Sequence, residues 1–178
     1  MPTPTPTPTP TTASADSAED GLRSRLPDPV KLFPEMVTVA QTMAKVLGNG
    51  VLPQSTVALV QLRAGQLVGS SYHVIGQART LRKAGEPEER VTAVASWRDA
   101  PYFTDAERVA LELVEAVLSP NPHGERVPDE LFARAAEHYD EKALWTLVLA
   151  ISQISFFIPV ALIAKPVPGR SPGQNYTA

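Results

Sequence analysis

Hydrophobic positions recur at helical spacing through most of this chain. After Pro34, the side chains Met36, Val37, Ala40, Met43, Ala44 and Leu47 fall on one face of a short amphipathic helix that Gly48-Asn49-Gly50 ends. Pro53 opens a longer segment in which Val57, Val60, Leu62, Ala64, Leu67 and Val68 are apolar, and the pattern predicts one continuous helix through Ser70 to Ala84, stopping at Gly85. The run Glu86-Pro-Glu-Glu-Arg-Val then puts acidic side chains on the first turn of a helix reaching about Trp97, where they complement the macrodipole. Thr104-Asp-Ala-Glu107 has the spacing of a capping box, followed by a stripe of Ala106, Val109, Ala110, Leu113, Val114 and Val117. Asn121-Pro-His-Gly124 interrupts the chain, and Pro128 begins a helix expected to turn Leu131, Phe132, Ala135 and Ala136 inward. No segment sustains a period-two alternation with β-branched residues, so the fold class is all-α, a bundle of about six helices joined by short turns.

From Ala143 to Ala164 no residue is charged, a length that meets the minimum for a membrane span. Thr146, Ser152, Gln153, Ser155 and Pro159 interrupt that segment, and the chain has no second one like it. Polar side chains at this density suit a helix buried in protein or in a subunit interface, so no membrane partner is expected. Residues 1–25 begin with alternating Thr and Pro and predict a disordered tail; 26–169 form the domain; 170–178, rich in Pro and Gly, form an irregular tail that could lie across a neighbouring subunit. The first twenty residues lack the basic start and apolar stretch of a secretory signal, which leads to the expectation of a cytoplasmic protein.

Composition narrows the chemistry. The 178 residues carry 16 Lys and Arg against 19 Asp and Glu, with no run of either sign that could neutralise successive phosphates, so nucleic acid is not an expected partner. The chain holds no Cys, which excludes disulfides, thiolate metal sites and any thiol-based redox cycle of its own. Its three histidines, His73, His123 and His138, show no His-x-x-x-His pairing, so no metal site is expected. His123 reads as a surface-loop residue and His138 as a helix C-terminal charge.

Residues 59–98 carry a resemblance. Leu62-Arg63, Gln66, Gly69, Tyr72, the Ala84-Gly85-Glu86 turn and Trp97-Arg98 fall in step with the usual wording of the alkylhydroperoxidase AhpD / carboxymuconolactone decarboxylase family. That wording is Leu-Arg, then Gln-x-Asn-Gly-Cys-x-Tyr-Cys, a His four residues on, then Ala-Gly-Glu and Trp-Arg. The capping-box helix and the late apolar helix ending in Pro-x-Pro-Gly also match, so the likeness spans roughly residues 30–169 and implies an AhpD-like helical bundle. It also implies a homo-oligomer, with dimers assembled into trimers or hexamers. In the redox-active members two cysteines form a thiol/disulfide pair with a Glu and a His as proton relay. In this register those positions hold Ser70, His73, Gln77 for the relay His and Ala58 for the Glu. A serine oxygen cannot pass two electrons through a disulfide, so thiol peroxidase activity is excluded. The Asn-x-x-Asn-Arg pattern of the last helix is replaced by Ser155, Ile158 and Pro159, which suggests a more apolar cavity wall.

The remaining candidates follow from that register. Ser70 and His73 lie three apart and can hydrogen-bond on one helix face, but no Gly-x-Ser-x-Gly elbow surrounds the serine, so a nucleophilic hydrolase is disfavoured. His73 suits general acid–base work at neutral pH, with Ser70 and Tyr72 as hydrogen-bond donors and Gln77 as a positioning group. Arg63, two turns before Ser70 on the predicted continuous helix, could anchor a substrate carboxylate or close a structural salt bridge. Trp97 reads as core filler. Phe156 and Phe157 point about 100° apart on a helix, so one can face a cavity and the other a partner subunit. Two functions stay open: a cofactor-independent, non-redox enzyme (lyase, decarboxylase, isomerase or cyclase) for a small, largely apolar substrate molecule, with specialised metabolism as a plausible setting, and a non-catalytic oligomeric binding or scaffold protein.

Overall fold

The segment Gln54–Leu67 is a helix enclosed on most of its circumference, its buried residues running from Thr56 to Leu62 and on to Ala64 and Gly65. The computed structural model describes residues 21–119, 121–122, 124–170 and 173–177; most of the expected Thr/Pro tail and the expected surface position of His123 lie outside them. In chain order the elements are α1 (Pro29–Leu32), α2 (Glu35–Leu47), α3 (Gln54–Leu67), α4 (Ser71–Lys83), α5 (Glu88–Ala93) with a short 3-10 turn at Val94–Ser96, α6 (Asp105–Leu118), α7 (Asp129–His138) and α8 (Glu141–Ala164). The described residues are all-α and contain no strand, as the periodicity predicts, but the helices number eight.

The count differs for two reasons. Asp28 caps a single-turn helix by accepting from the Val30 amide at 2.9 Å, and the long helix expected from Pro53 to Ala84 is broken in two. Leu67 ends α3, Gly69 turns the backbone to φ +67, and Ser70 is the extended N-cap of α4. Apolar periodicity runs across this break because both helices bury a face, so the pattern alone does not register it.

Helix α3 is the spine, packed against α4, α6 and α8. One of its sides, with Val57, Val60 and Ala64, joins Val109, Ala110 and Val114 of α6, Leu131 and Ala135 of α7, and Leu147, Ala150, Ile151 and Ile154 of α8 in the larger core. The other, with Ala58, Leu59 and Leu62, meets Ala78 and Leu81 of α4, Val91, Val94, Trp97, Phe103 and Leu111. Helix α6 starts on the expected capping box, with both reciprocal bonds between Thr104 and Glu107 formed. In α7 only Leu131 and Ala135 are buried; Phe132 and Ala136, expected inward, are exposed because the helix touches the core along a narrow strip. Helix α8 buries one side and exposes the other, so its uncharged sequence is not the signature of a fully enclosed helix.

A polar knot ties the second core to α6. Glu115 accepts from Arg63 Nε at 2.6 Å and from Trp97 Nε1 at 2.8 Å, and pairs with Arg98 Nη1 at 2.5 Å. Burial acts to raise the carboxyl pKa, but the bonds from Trp97, Arg98 and Arg63 outweigh it and hold it below its ordinary value. A carboxyl depressed in this way adds stability that is complete above its unfolded-state pKa and is lost as pH falls through the folded one. Glu115→Gln is therefore expected to lower stability by about 1–3 kcal/mol at pH 7, since it leaves two guanidinium groups and an indole N–H short of a charged acceptor. Urea denaturation would show this as a lower midpoint, and the gap between variant and parent should narrow below pH 4.5.

Candidate functional site

The break between α3 and α4 creates the site. Gly65 of α3 lies so close to α4 that a Cβ there would stand 2.9 Å from the His73 Cβ and 3.1 Å from the Val74 nitrogen. Its carbonyl accepts the Ser70 amide at 2.9 Å, and α4 starts against it. Ser70 is N-cap and His73 is N3, yet the serine hydroxyl does not cap a backbone amide. It pairs with His73 Nδ1 at 2.9 Å. Both residues are buried, Ser70 3% and His73 5% exposed, so neither side chain faces bulk water.

With Nδ1 engaged by Ser70, His73 Nε2 has no protein partner among the described residues. The imidazole borders a cavity of about 380 Å³ whose lining includes Tyr72, Gln77, Gln61, Gln153, Ile154 and Phe157. Burial lowers the His73 pKa from 6.5, so the ring is neutral at pH 7, with one nitrogen a donor and the other an acceptor. The Tyr72 ring stands edge-on to the imidazole at 5.5 Å, and its hydroxyl accepts from Asn175 Nδ2 at 2.8 Å, which leaves its own proton free to donate. Gln77 donates to Gln61 Oε1 at 2.9 Å, and Gln61 donates to Gln153 Oε1 at 2.8 Å and to the Ala150 carbonyl at 3.3 Å. Three neutral amides thus link α4, α3 and α8 behind the histidine, next to the buried Ala58.

Not every residue expected at the site is brought to it. Ser70 lies behind His73 and borders an adjoining hollow of about 320 Å³ instead of the main cavity. Arg63 is committed to Glu115, to Gln66 Oε1 and to the Ala95 carbonyl, on the far side of α3; the helix break removes the shared face on which its substrate role depended. Phe157 lines the cavity, while Phe156 points outward, 46% exposed. The apolar wall comes from Ile154, Phe157, Val160 and Ala161 of α8; Ser155, Ile158 and Pro159 do not line it. Trp97 is a core residue, 4% exposed.

Several residues of the wall escaped the sequence reading, Gln61, Gln153, Asn175 and Tyr176 among them. Gln61 and Gln153 sit in apolar runs that signal packing. Asn175 and Tyr176 belong to the C-terminal segment, which folds back on its own chain: the Val167 amide donates to the Asn175 carbonyl at 2.6 Å and Ser24 bonds Thr177. Burial, with Tyr72 and Asp28 nearby, raises the Tyr176 pKa above 10.0.

Comparison with known proteins bears on the family and the fold. The model of the carboxymuconolactone decarboxylase family matches residues 34–116. The uncharacterized protein YdfG of Bacillus subtilis (strain 168) is 33% identical over 126 residues, 70% of this chain and 84% of its own length. This chain belongs to the carboxymuconolactone decarboxylase family. The uncharacterized protein YnjA of Escherichia coli (strain K12) shares 36% identity over 95 residues, 53% of this chain and 50% of its own. Among solved structures, a protein of unknown function from Agrobacterium tumefaciens, provisionally named an antioxidant defence protein AhpD, superposes with a TM-score of 0.74 at 22% identity, covering 84% of this chain and 100% of that one. A variant of the debrominase Bmp8 in complex with 2,3,4-tribromopyrrole has the same fold, with a TM-score of 0.68 at 17% identity, covering 79% of this chain and 75% of that one. This member of the family has no cysteine.

A buried neutral imidazole makes a titration prediction. In an NMR pH series the His73 ring should titrate below 6.5, and because the folded state then binds fewer protons than the unfolded one, stability should fall as pH drops below that value. Ser70→Ala should leave the fold intact and change the Nδ1 shift, since it removes the hydroxyl partner.

Proposed function

We propose that this protein is a cofactor-independent, non-redox enzyme of the lyase, decarboxylase, isomerase or cyclase kind, acting on a small, largely apolar organic molecule by proton transfer. The observation that carries this reading is the neutral His73 imidazole on the wall of a cavity of about 380 Å³, with one nitrogen held by Ser70 and the other without a partner among the described residues. A volume of this order suits a small molecule. His73 is the acid or base, Tyr72 donates to a substrate oxygen, and Gln77 orients the bound molecule. Ser70 acts through the imidazole, fixing its plane. The brominated pyrrole held by the debrominase supports the idea that this fold can take a small cyclic molecule. A cytoplasmic setting accords with the reading.

The test is extraction of the purified protein, identification of any retained small molecule by mass spectrometry, and assay of that compound and its relatives for conversion. His73→Ala is expected to remain folded and to lower turnover by about 10²–10⁴, the usual contribution of a positioned acid or base. Unchanged turnover in that variant, or tight retention of a compound that is never converted, would favour a binding or scaffold role.

We also propose that the protein works as a homo-oligomer assembled through the outer side of α8. Trp145, Val148, Leu149, Phe156 and Ile163 form one exposed apolar stripe along it, with Trp145 66% and Ile163 63% exposed. Sedimentation should report a multimer for the parent chain and a shift toward monomer for Trp145→Arg combined with Ile163→Asp. A monomeric parent would remove the proposal.

A further inference from the structure

His73 and Tyr72 have a second side. Beyond the apolar cavity, the same two residues and Gln77 border a cleft of about 360 Å³ whose other walls are Gly76, Arg79, Thr80, Lys83, Gly169 and Arg170. Among the described residues no acidic side chain lines it and neither Arg79 nor Lys83 meets a carboxylate, although the neighbouring Arg82 is paired with Glu88 at 2.5 Å. Tyr72, Gly76, Arg79 and Lys83 stand at i, i+4, i+7 and i+11, so one stripe of α4 supplies the floor of the cleft.

Two details mark the cleft as built. The Arg79 guanidinium occupies the space that a side chain at Gly169 would take: a Cβ there would come within 2.8 Å of Nη2 and 3.0 Å of Cζ and Nη1, and Gly169 has φ +78. The missing side chain leaves that room to the otherwise exposed Arg79. Gly76 lies inside a helix, where glycine weakens the element, and a Cβ there would meet nothing within 4 Å. Packing gives no reason for the missing side chain, whereas an open floor between Tyr72 and Arg79 does.

We propose that this cleft is an anion subsite, taking a carboxylate of the substrate on Arg79 and Lys83 while its apolar body occupies the cavity beyond His73. The guanidinium can receive the two carboxylate oxygens in parallel, and Lys83 adds a point charge one turn away. The imidazole then stands between the charged and apolar ends of the bound molecule. This rests on the acid–base reading of His73 only for the orientation; the subsite itself is a binding claim. It narrows the substrate class from a small apolar molecule to a small organic acid.

The experiment uses the full chain, with 4-phenylbutyrate and its uncharged counterpart 4-phenylbutanol as probes, followed by calorimetry and by the amide signal of Gly76 and the Nε signal of Arg79 in NMR. The acid should bind at least tenfold more tightly than the alcohol, and added salt should erode that difference. Arg79→Gln with Lys83→Gln should abolish the preference and leave the alcohol unchanged. Gly76→Leu, which fills the floor without altering charge, should do the same while melting at or above the parent temperature. Equal affinity for acid and alcohol, an undiminished preference in the double variant, or no response of the Gly76 and Arg79 signals to the acid at tens of millimolar would overturn the subsite. None of these readouts needs turnover, so an inactive protein that binds the acid in this way would sink the enzymatic reading alone.

Discussion

The architecture of this protein turns on one close contact, the approach of α4 to α3 at Gly65. Because that residue has no side chain, the first turn of α4 can sit directly on the spine helix, with the Ser70 amide bonded to the Gly65 carbonyl at 2.9 Å. For the chain to return there it must reverse within three residues, which the positive φ of Gly69 permits. Everything that follows depends on this reversal: the N-cap serine faces the N3 histidine, the histidine is carried inward, and Tyr72 and Gln77 are spaced around it on the same helix. A side chain at position 65 would push the whole group outward together.

The site built on that contact is made of neutral groups. Serine, an uncharged imidazole, a tyrosine and three amides surround it. Amides neither gain nor lose protons near neutral pH, so the Gln77, Gln61 and Gln153 chain fixes positions and conducts nothing. That concentrates proton chemistry on one residue. It also makes the interior cheaper to bury, since neutral groups with hydrogen-bond partners escape the large desolvation cost of isolated charges.

Much of this was legible in the sequence, and the exceptions have physical causes. The helical class, the capping box at Thr104 and the pairing of Ser70 with His73 follow from spacing and residue type, and the family wording fixes the register. The break at Gly69 was hidden because both flanking helices keep apolar faces through it, and the misplacement of Arg63 followed directly from reading one helix where there are two. Asn175 and Gln153 reach the cavity through tertiary return of segments distant in sequence, which no local pattern encodes. Phe132 and Ala136 follow the helical spacing of Leu131 and Ala135, but α7 meets the core along a strip too narrow to cover them. The uncharged stretch of α8 was read as a helix buried in protein or in a subunit interface, but the sequence does not say how its circumference is divided.

That division gives α8 an unusual mechanical position. Phe157 forms part of the cavity wall and its neighbour Phe156 projects from the opposite surface, yet the two rings touch edge to face with centroids 5.0 Å apart. No residue intervenes between the outer ring and the inner one. The helix is thus a thin partition, a single pair of rings thick between the chamber and the outside.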